Sequence, residues 1–240
     1  MDKETQKGTE HPLSILASQA YEAFSSMGFE IVMGPELETE WYNFDVLNVP
    51  KDHPARDMQD TFWIKGKPGS VLRTHTTNLS ARAIEKAGKD GRLPCAFISV
   101  GKVFRNEATD ITHEMQFFQI DGVMVGNISD GVSIANLKGV LTEFYKKMLG
   151  DNVEMEFRPS FFPFVEPGLE VWLKFKNRWL EVMGAGMLHP NVLRNCGLDP
   201  EKVQGFAFGG GLDRIAMVKW GIPDVRLFYQ GDLRLNQLSE

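Results

Sequence analysis

The chain has 240 residues, 42% of them hydrophobic and 24% charged, with a net charge of −6. That length and apolar content suit one compact domain with a real core, and the charge balance excludes both a disordered chain and a broadly basic surface that coats nucleic acid. Two cysteines, Cys95 and Cys196, fit neither a disulfide framework nor a four-ligand zinc site and suit a reducing compartment.

Residues 1–10 are polar and unpatterned, so the expectation is a loose lead-in followed by a single domain over 11–240. They hold no apolar signal segment, and no apolar run approaches the roughly 18 residues of a membrane span. A cytoplasmic protein with no membrane partner is expected. Leu13, Leu16, Ala20, Phe24 and Met27 then recur at helical spacing, with Pro12 in the first turn and Gly28 at the stop. Residues 29–33 read as a short strand closed by Gly34-Pro35, an edge suited to pairing with another chain. Residues 41–60, aromatic and then rich in Pro, His and Asp, predict an ordered functional loop rather than a regular element. A strand near 71–76 leads to a helix over 78–86, with Asn78 as its cap.

Two β-type runs, 96–105 and 115–125, flank a polar segment, 106–114, too long for a tight turn. Alternation along the second puts Phe118, Ile120 and Met124 on one face and Phe117, Gln119 and Asp121 on the other, the latter a candidate site floor. An amphipathic helix carrying Ile134, Leu137, Leu141, Phe144 and Met148 is followed by strands near 153–158, 169–175 and 179–183. The last strand, 203–208, is expected to break at Gly209-Gly210-Gly211 and restart as a helix over 212–220. Helices and strands in separate runs predict an α+β fold, a mainly antiparallel sheet flanked by helices.

Three segments carry chemistry. In Phe104-Arg105-Asn106-Glu107 the planar guanidinium suits bidentate contact with phosphate, although a hairpin ion pair would also explain it. Gly205 through Arg214 joins a glycine run to an arginine in the first turn of a helix; a tight turn alone would need the glycines, and a nucleotide approaching the backbone would need them too. In Phe161-Phe162-Pro163-Phe164-Val165-Glu166-Pro167 the aromatics suit either core packing or a pocket for a flat apolar side chain, and Glu166 needs a cation or metal partner. His75 and His113 lack zinc spacing, and no nucleophile–base pair is present to support covalent catalysis.

Taken in order, these segments resemble the signature motifs of class II aminoacyl-tRNA synthetases, and in detail the bacterial phenylalanine-tRNA ligase alpha subunit family. Residues 13–35 resemble motif 1, 104–122 motif 2 and 205–220 motif 3. The phenylalanine-specific likeness lies in His53-Pro54-Ala55-Arg56-Asp57-Met58, Arg73-Thr74-His75-Thr76, Phe162 through Pro167, and Gly184-Ala185-Gly186-Met187. The resemblance implies ATP-dependent formation of phenylalanyl-adenylate and transfer to the 2′-hydroxyl of tRNA(Phe). It implies Arg105 and Arg214 as catalytic residues; Arg105, Glu107, Phe117, Gly209, Gly211 and Arg214 around ATP; Gln59, His75, Thr77, Gln119 and Asp121 around the polar end of L-phenylalanine; and Phe162, Phe164 and Ala207 around its ring. It further implies Mg²⁺ on Glu166 and a beta-subunit partner in an alpha2beta2 heterotetramer. Asp121 and Asp213 stand where the family usually has glutamate, and Thr77 where serine is usual. The family's long N-terminal helical arm is not represented in the sequence, which keeps open a regulatory synthetase-like module or an amino-acid:AMP ligase that loads something other than tRNA.

Overall fold

Six of the seven strands of one large sheet come from the chain after residue 94. The computed structural model describes residues 8–57, 60–111, 113–175 and 177–235. With strands numbered in chain order, the sheet runs β1 (Glu30–Ile31), β4 (Cys95–Phe104), β5 (Gln116–Asn127), β9 (Val203–Gly211), β8 (Arg178–Leu188), β7 (Val165–Phe175), β6 (Met155–Phe162). Every pairing is antiparallel except β1 with β4. A separate pair, β2 (Leu37–Thr39) with β3 (Ser70–Leu72), lies outside it. This is the α+β architecture that the segregated runs predict.

One face is covered by α1 (Pro12–Ser25), α3 (Ile134–Leu149) and α5 (Leu212–Trp220). Their apolar stripes meet Ile98, Ile120, Val171 and Phe208 from the strands. The Phe24 ring stacks on Phe144 at 4.6 Å and on Phe208 at 5.1 Å, contacts that add to simple burial. The other face is covered at one end only, where α2 (Thr77–Lys89) and α4 (Pro190–Asn195) pack on Phe97, Val123, Val125 and Val203. Along β5 this half-coverage splits one face in two: Val123 and Val125 are sealed, while Phe117, Gln119 and Asp121 border a cavity.

Several local expectations give way to tertiary structure. The Gly209-Gly210-Gly211 run is not a turn. All three belong to β9, and none has a positive φ. A Cβ on Gly210 would overlap the Val182 carbonyl oxygen, and one on Gly209 the Asp121 carboxylate, so neighbouring strands demand these two glycines, whereas a Cβ on Gly211 would meet only Arg214 Cγ at 3.9 Å. Residues 41–57 are not purely loop: a wide helical turn spans Trp41–Asp45 and a 3-10 turn Pro54–Arg56. Both close around the buried Arg56 guanidinium, which donates to Glu40 at 3.0 Å, to Asp45 at 2.8 Å and to the Val49 carbonyl. Asn78 is not the cap of α2. The helix starts one residue earlier, behind Thr76, and Asn78 is wholly buried in the first turn, donating to Glu38 at 3.2 Å. The strands at 29–33 and 71–76 shrink to two and three residues, and the three strands of the second half extend so that only Pro163 and Phe164 separate β6 from β7. Among the described residues no helix is long and apolar enough to cross a membrane.

Two glycines with opposite surroundings respond oppositely to a methyl group. Gly210→Ala should lower stability by about 1–3 kcal/mol, because the obstacle is backbone and cannot swing away. Gly139→Ala, in α3 with nothing within 4 Å of its new methyl, should raise stability by about 0.4–1 kcal/mol. Urea midpoints of the two variants check both signs.

Candidate active site

Where the second layer of helices runs out, the sheet floors a cavity of about 370 Å³. β5 contributes Phe117, Gln119 and Asp121, β9 contributes Ala207, Gly209 and Gly211, and the segment entering α2 contributes His75 and Thr77. Arg105 and Glu107 stand at the end of β4, Arg214 in the first turn of α5, and Phe162 and Phe164 at the β6–β7 turn. All of these were expected from the sequence, and one cavity gathers them. Gln59 lies outside the described residues. Glu166 is not brought to the cavity: its side chain is 77% exposed, and its carboxylate is 3.7 Å from His189 Nε2. Among the described residues no three His, Cys, Asp or Glu side chains cluster for a metal ion, so the residues present around Glu166 do not form a magnesium cage.

The acidic floor is built across strands. The Thr77 hydroxyl donates to Asp121 Oδ1 at 2.6 Å, and the Thr76 hydroxyl donates to Oδ2. Burial pushes the Asp121 carboxyl up to about 7, against the opposing effect of those donors and of Arg105. Thr76, which the Arg73-Thr74-His75-Thr76 block includes without a role, gives this carboxylate the hydroxyl that would otherwise cap α2. Burial also pushes His75 down to about 4. Its Nε2 lies 2.8 Å from the Asn43 carbonyl oxygen. A carbonyl only accepts, so Nε2 carries the proton and Nδ1 is an acceptor. Among the described residues His75 Nδ1 and Gln119 Oε1 are buried atoms without a hydrogen-bond partner. Leaving such a group unpaired costs about 1–3 kcal/mol, which a ligand bringing N–H donors would recover.

The two arginines are held by neutral groups. Arg105 Nε donates to the Thr74 carbonyl at 3.1 Å, and Arg214 donates to the Glu181 carbonyl at 3.0 Å. Glu107 is only loosely paired with Arg105, at 3.8 Å, so the hairpin ion pair does not absorb the arginine's charge. Arg105 also sits 5.0 Å from the Phe117 ring centre. An anion drawn to this guanidinium therefore brings whatever it carries within reach of that ring. Asp213 is fully buried beside Arg214 and accepts from the Phe118 amide at 2.9 Å and from the Tyr229 hydroxyl, tying α5 to β5 and to the C-terminal segment. Burial raises its carboxyl to about 6.

At the apolar end, Phe162 and Phe164 stack at 5.8 Å. A Cβ on Gly184 would stand 2.9 Å from the tip of Phe162, which is why the Gly184-Ala185-Gly186 block is small there. Glu181, Met183, Phe208 and Val225 also line the cavity. A bulge in β8 between Glu181 and Met183 breaks the alternation there, so strand spacing could not have found both. Val225 comes from a chain-terminal turn with no such signal.

This layout defines a class of protein, and comparison agrees: residues 1–238 match the family "tRNA synthetases class II core domain (F)", and the chain belongs to that family. Within it, the chain is similar to proteins named phenylalanine--tRNA ligase alpha subunit. The relative from Anoxybacillus flavithermus is 46% identical over 96% of this chain and 69% of its own length, and that from Bacillus pumilus is 46% identical over 96% and 68%. The relative from Laribacter hongkongensis is 48% identical over 93% and 65%.

The titrations have opposite signs. The folded chain binds the Asp121 proton more tightly than the unfolded chain, so this group's stability contribution falls as pH rises from about 4 to about 7. The folded chain binds the His75 proton less tightly, so its contribution falls as pH drops from 6.5 towards about 4. The two largely offset each other in the wild type. Asp121→Asn should expose the His75 dependence and His75→Asn the Asp121 dependence, each approaching about 1.4 kcal/mol per pH unit relative to wild type between pH 4.5 and 6.5. Denaturant titrations across that window read the slopes, and parallel curves for all three proteins would contradict the assignment.

Proposed function

We propose that the chain is the catalytic alpha subunit of a phenylalanine-tRNA ligase, which activates L-phenylalanine with ATP and transfers it to tRNA(Phe). The observation that carries this reading is the combination, in one cavity, of two carbonyl-anchored arginines with a stacked aromatic pair and partnerless buried acceptors. An amino acid and a nucleotide triphosphate meet those needs together. The relatives' names supply the substrate.

The amino acid's ring packs against Phe162, Phe164 and Ala207. Its ammonium offers donors to His75 Nδ1, Gln119 Oε1 and the Asp121–Thr77 pair, with Gln59 assigned to the same group. Small side-chain adjustments, common on binding, uncover both buried acceptors while His75 keeps its Nε2 bond to the Asn43 carbonyl. Arg105 grips the ATP α-phosphate, adenine stacks against Phe117 with its amine towards Glu107, and Arg214 covers the opposite side, while Gly211, whose Cβ would meet only Arg214 Cγ at 3.9 Å, leaves room for the nucleotide beside Gly209. No protein nucleophile is needed. A carboxylate oxygen of phenylalanine forms a bond to the α-phosphorus in line as the bond to pyrophosphate breaks; a ribose hydroxyl of the tRNA then attacks the carbonyl carbon and AMP leaves. Catalysis rests on positioning and on fixed positive charge where negative charge develops. Mg²⁺ accompanies ATP in this chemistry, and a beta subunit, in an alpha2beta2 assembly, completes the enzyme.

Phenylalanine-dependent exchange of labelled pyrophosphate into ATP is the test, run with and without a beta subunit. Arg105→Ala should lower the exchange rate by about 10²–10³-fold, the cost of one charged stabilising group. Its circular dichroism should match wild type. An undiminished rate removes Arg105 from the phosphate, and no exchange by the wild-type protein with its partner overturns the enzyme reading.

A further inference from the structure

Asn43 does not line the cavity, yet both polar atoms of its side chain are committed beside it. It has no solvent exposure. Its Oδ1 accepts from the Thr74 amide at 3.1 Å, its Nδ2 donates to the Thr74 hydroxyl at 3.1 Å, and its own carbonyl receives His75 Nε2 at 2.8 Å. Three bonds from one residue thus fix a Thr-His dipeptide on another segment, 31 and 32 positions away.

The carbonyl is available because of the local backbone. In the wide turn Trp41–Asp45 the Val46 amide reaches back to the Trp41 carbonyl, and the amides of Leu47 and Val49 share the Phe44 carbonyl. The turn is held from behind, where Arg56 lies 4.9 Å over the Phe44 ring and bonds Asp45. The Asn43 carbonyl is left pointing at the imidazole.

We infer that Asn43 is a positioning residue that locks His75 as the Nε2–H tautomer, so that Nδ1 stays proton-free as an acceptor for an N–H of the substrate. The bond to the carbonyl sets which nitrogen holds the proton, and the two side-chain bonds to Thr74 set where the ring hangs. Burial keeps the ring neutral and disfavours the doubly protonated form, which would remove the acceptor. The geometry of the tautomer stands by itself; its use rests on the proposed amino-acid site.

Long-range ¹⁵N–¹H correlation of His75 in the ligand-free chain, labelled at histidine, reads the tautomer without reference to activity. At pH 7 the wild type should show a protonated Nε2 and an unprotonated Nδ1. Asn43→Ala keeps the carbonyl but removes both side-chain bonds that aim the ring at it, so it should weaken the Nε2 bond, shift both nitrogens towards a tautomer mixture and raise KM for L-phenylalanine in the exchange assay roughly tenfold, with kcat little changed. Should Asn43→Ala fail to fold, Thr74→Val removes one of the three bonds and should move the nitrogen shifts in the same direction, whereas Thr74→Ser keeps the hydroxyl and should retain the wild-type spectrum. A wild-type His75 protonated on Nδ1, or variants with unchanged nitrogen shifts, would overturn the positioning role. Shifts that move while the amino-acid KM stays constant would leave the tautomer lock standing and overturn the reading of His75 as a substrate acceptor.

Discussion

Asp121 on β5 and Gly209 on β9 are register partners, and the carboxylate of the first occupies the volume in which a Cβ of the second would lie. The rest of the site is arranged around that substitution of a charge for a side chain. Because residue 209 has none, the carboxylate lies flat across β9, where the hydroxyls of Thr76 and Thr77 reach it from the start of α2. Those bonds draw the N-terminus of α2 onto the sheet and set the edge at which the second helical layer stops. The cavity is the space left beyond that edge. A neighbouring exchange works on the opposite face, where the Phe208 ring fills the space that a Cβ on Gly122 would claim, so Phe208 can join the stack of Phe24 and Phe144. The glycines of β5 and β9 thus seat an acid on one face and an aromatic on the other.

These glycines also mark the limit of what could be read from the sequence. A run of three glycines between a strand and a helix reads as a turn when only local preference is considered, and the residues that make two of them necessary, Asp121 and Val182, lie on other strands. The same holds for 41–57, whose turns depend on a buried Arg56, and for Asn78, held inside the first turn of α2 and bonded to the buried Glu38. By contrast, the floor of the site was legible. Strand periodicity separates Phe117, Gln119 and Asp121 from Phe118 and Ile120 through geometry alone, and the family likeness placed Arg105, Arg214, Phe162 and Phe164 around them. What stayed hidden was the supporting layer: Asn43, Thr76 and the anchoring carbonyls of Thr74 and Glu181. Their roles are hydrogen bonds between segments distant in sequence, which no spacing rule announces.

An acidic chain proposed to handle a polyphosphate needs its positive charge concentrated and uncancelled. Arg105 and Arg214 meet this need because their anchors are peptide carbonyls, which orient a guanidinium without neutralising it. Arg73 extends the pattern: it is buried and bonded to the carbonyls of Lys102, Gly34 and Pro35. Other arginines are paired with carboxylates, as Arg82 with Glu38 and Arg226 with Asp224. A guanidinium that sits on carbonyls and also borders the cavity, as those of Arg105 and Arg214 do, keeps its charge on offer, whereas that of Arg73 is sealed in the fold. That arrangement accounts for a local anion site in a protein whose net charge is −6.

Under the proposed reaction the protein forms no bond to its substrates, so every contribution to rate must come from where groups are held before the substrates arrive. That places the burden on the supporting layer. Arg105 and His75 are both anchored through the Thr74–His75 segment, one by the Thr74 carbonyl and the other by Asn43. The nucleotide half and the amino-acid half of the cavity therefore share one mounting, and a displacement of that segment misplaces the phosphate grip and the acceptor together. Two substrates that must meet within bonding distance in line are well served by such a common mount, because errors in the position of one are carried by the other and their separation is preserved.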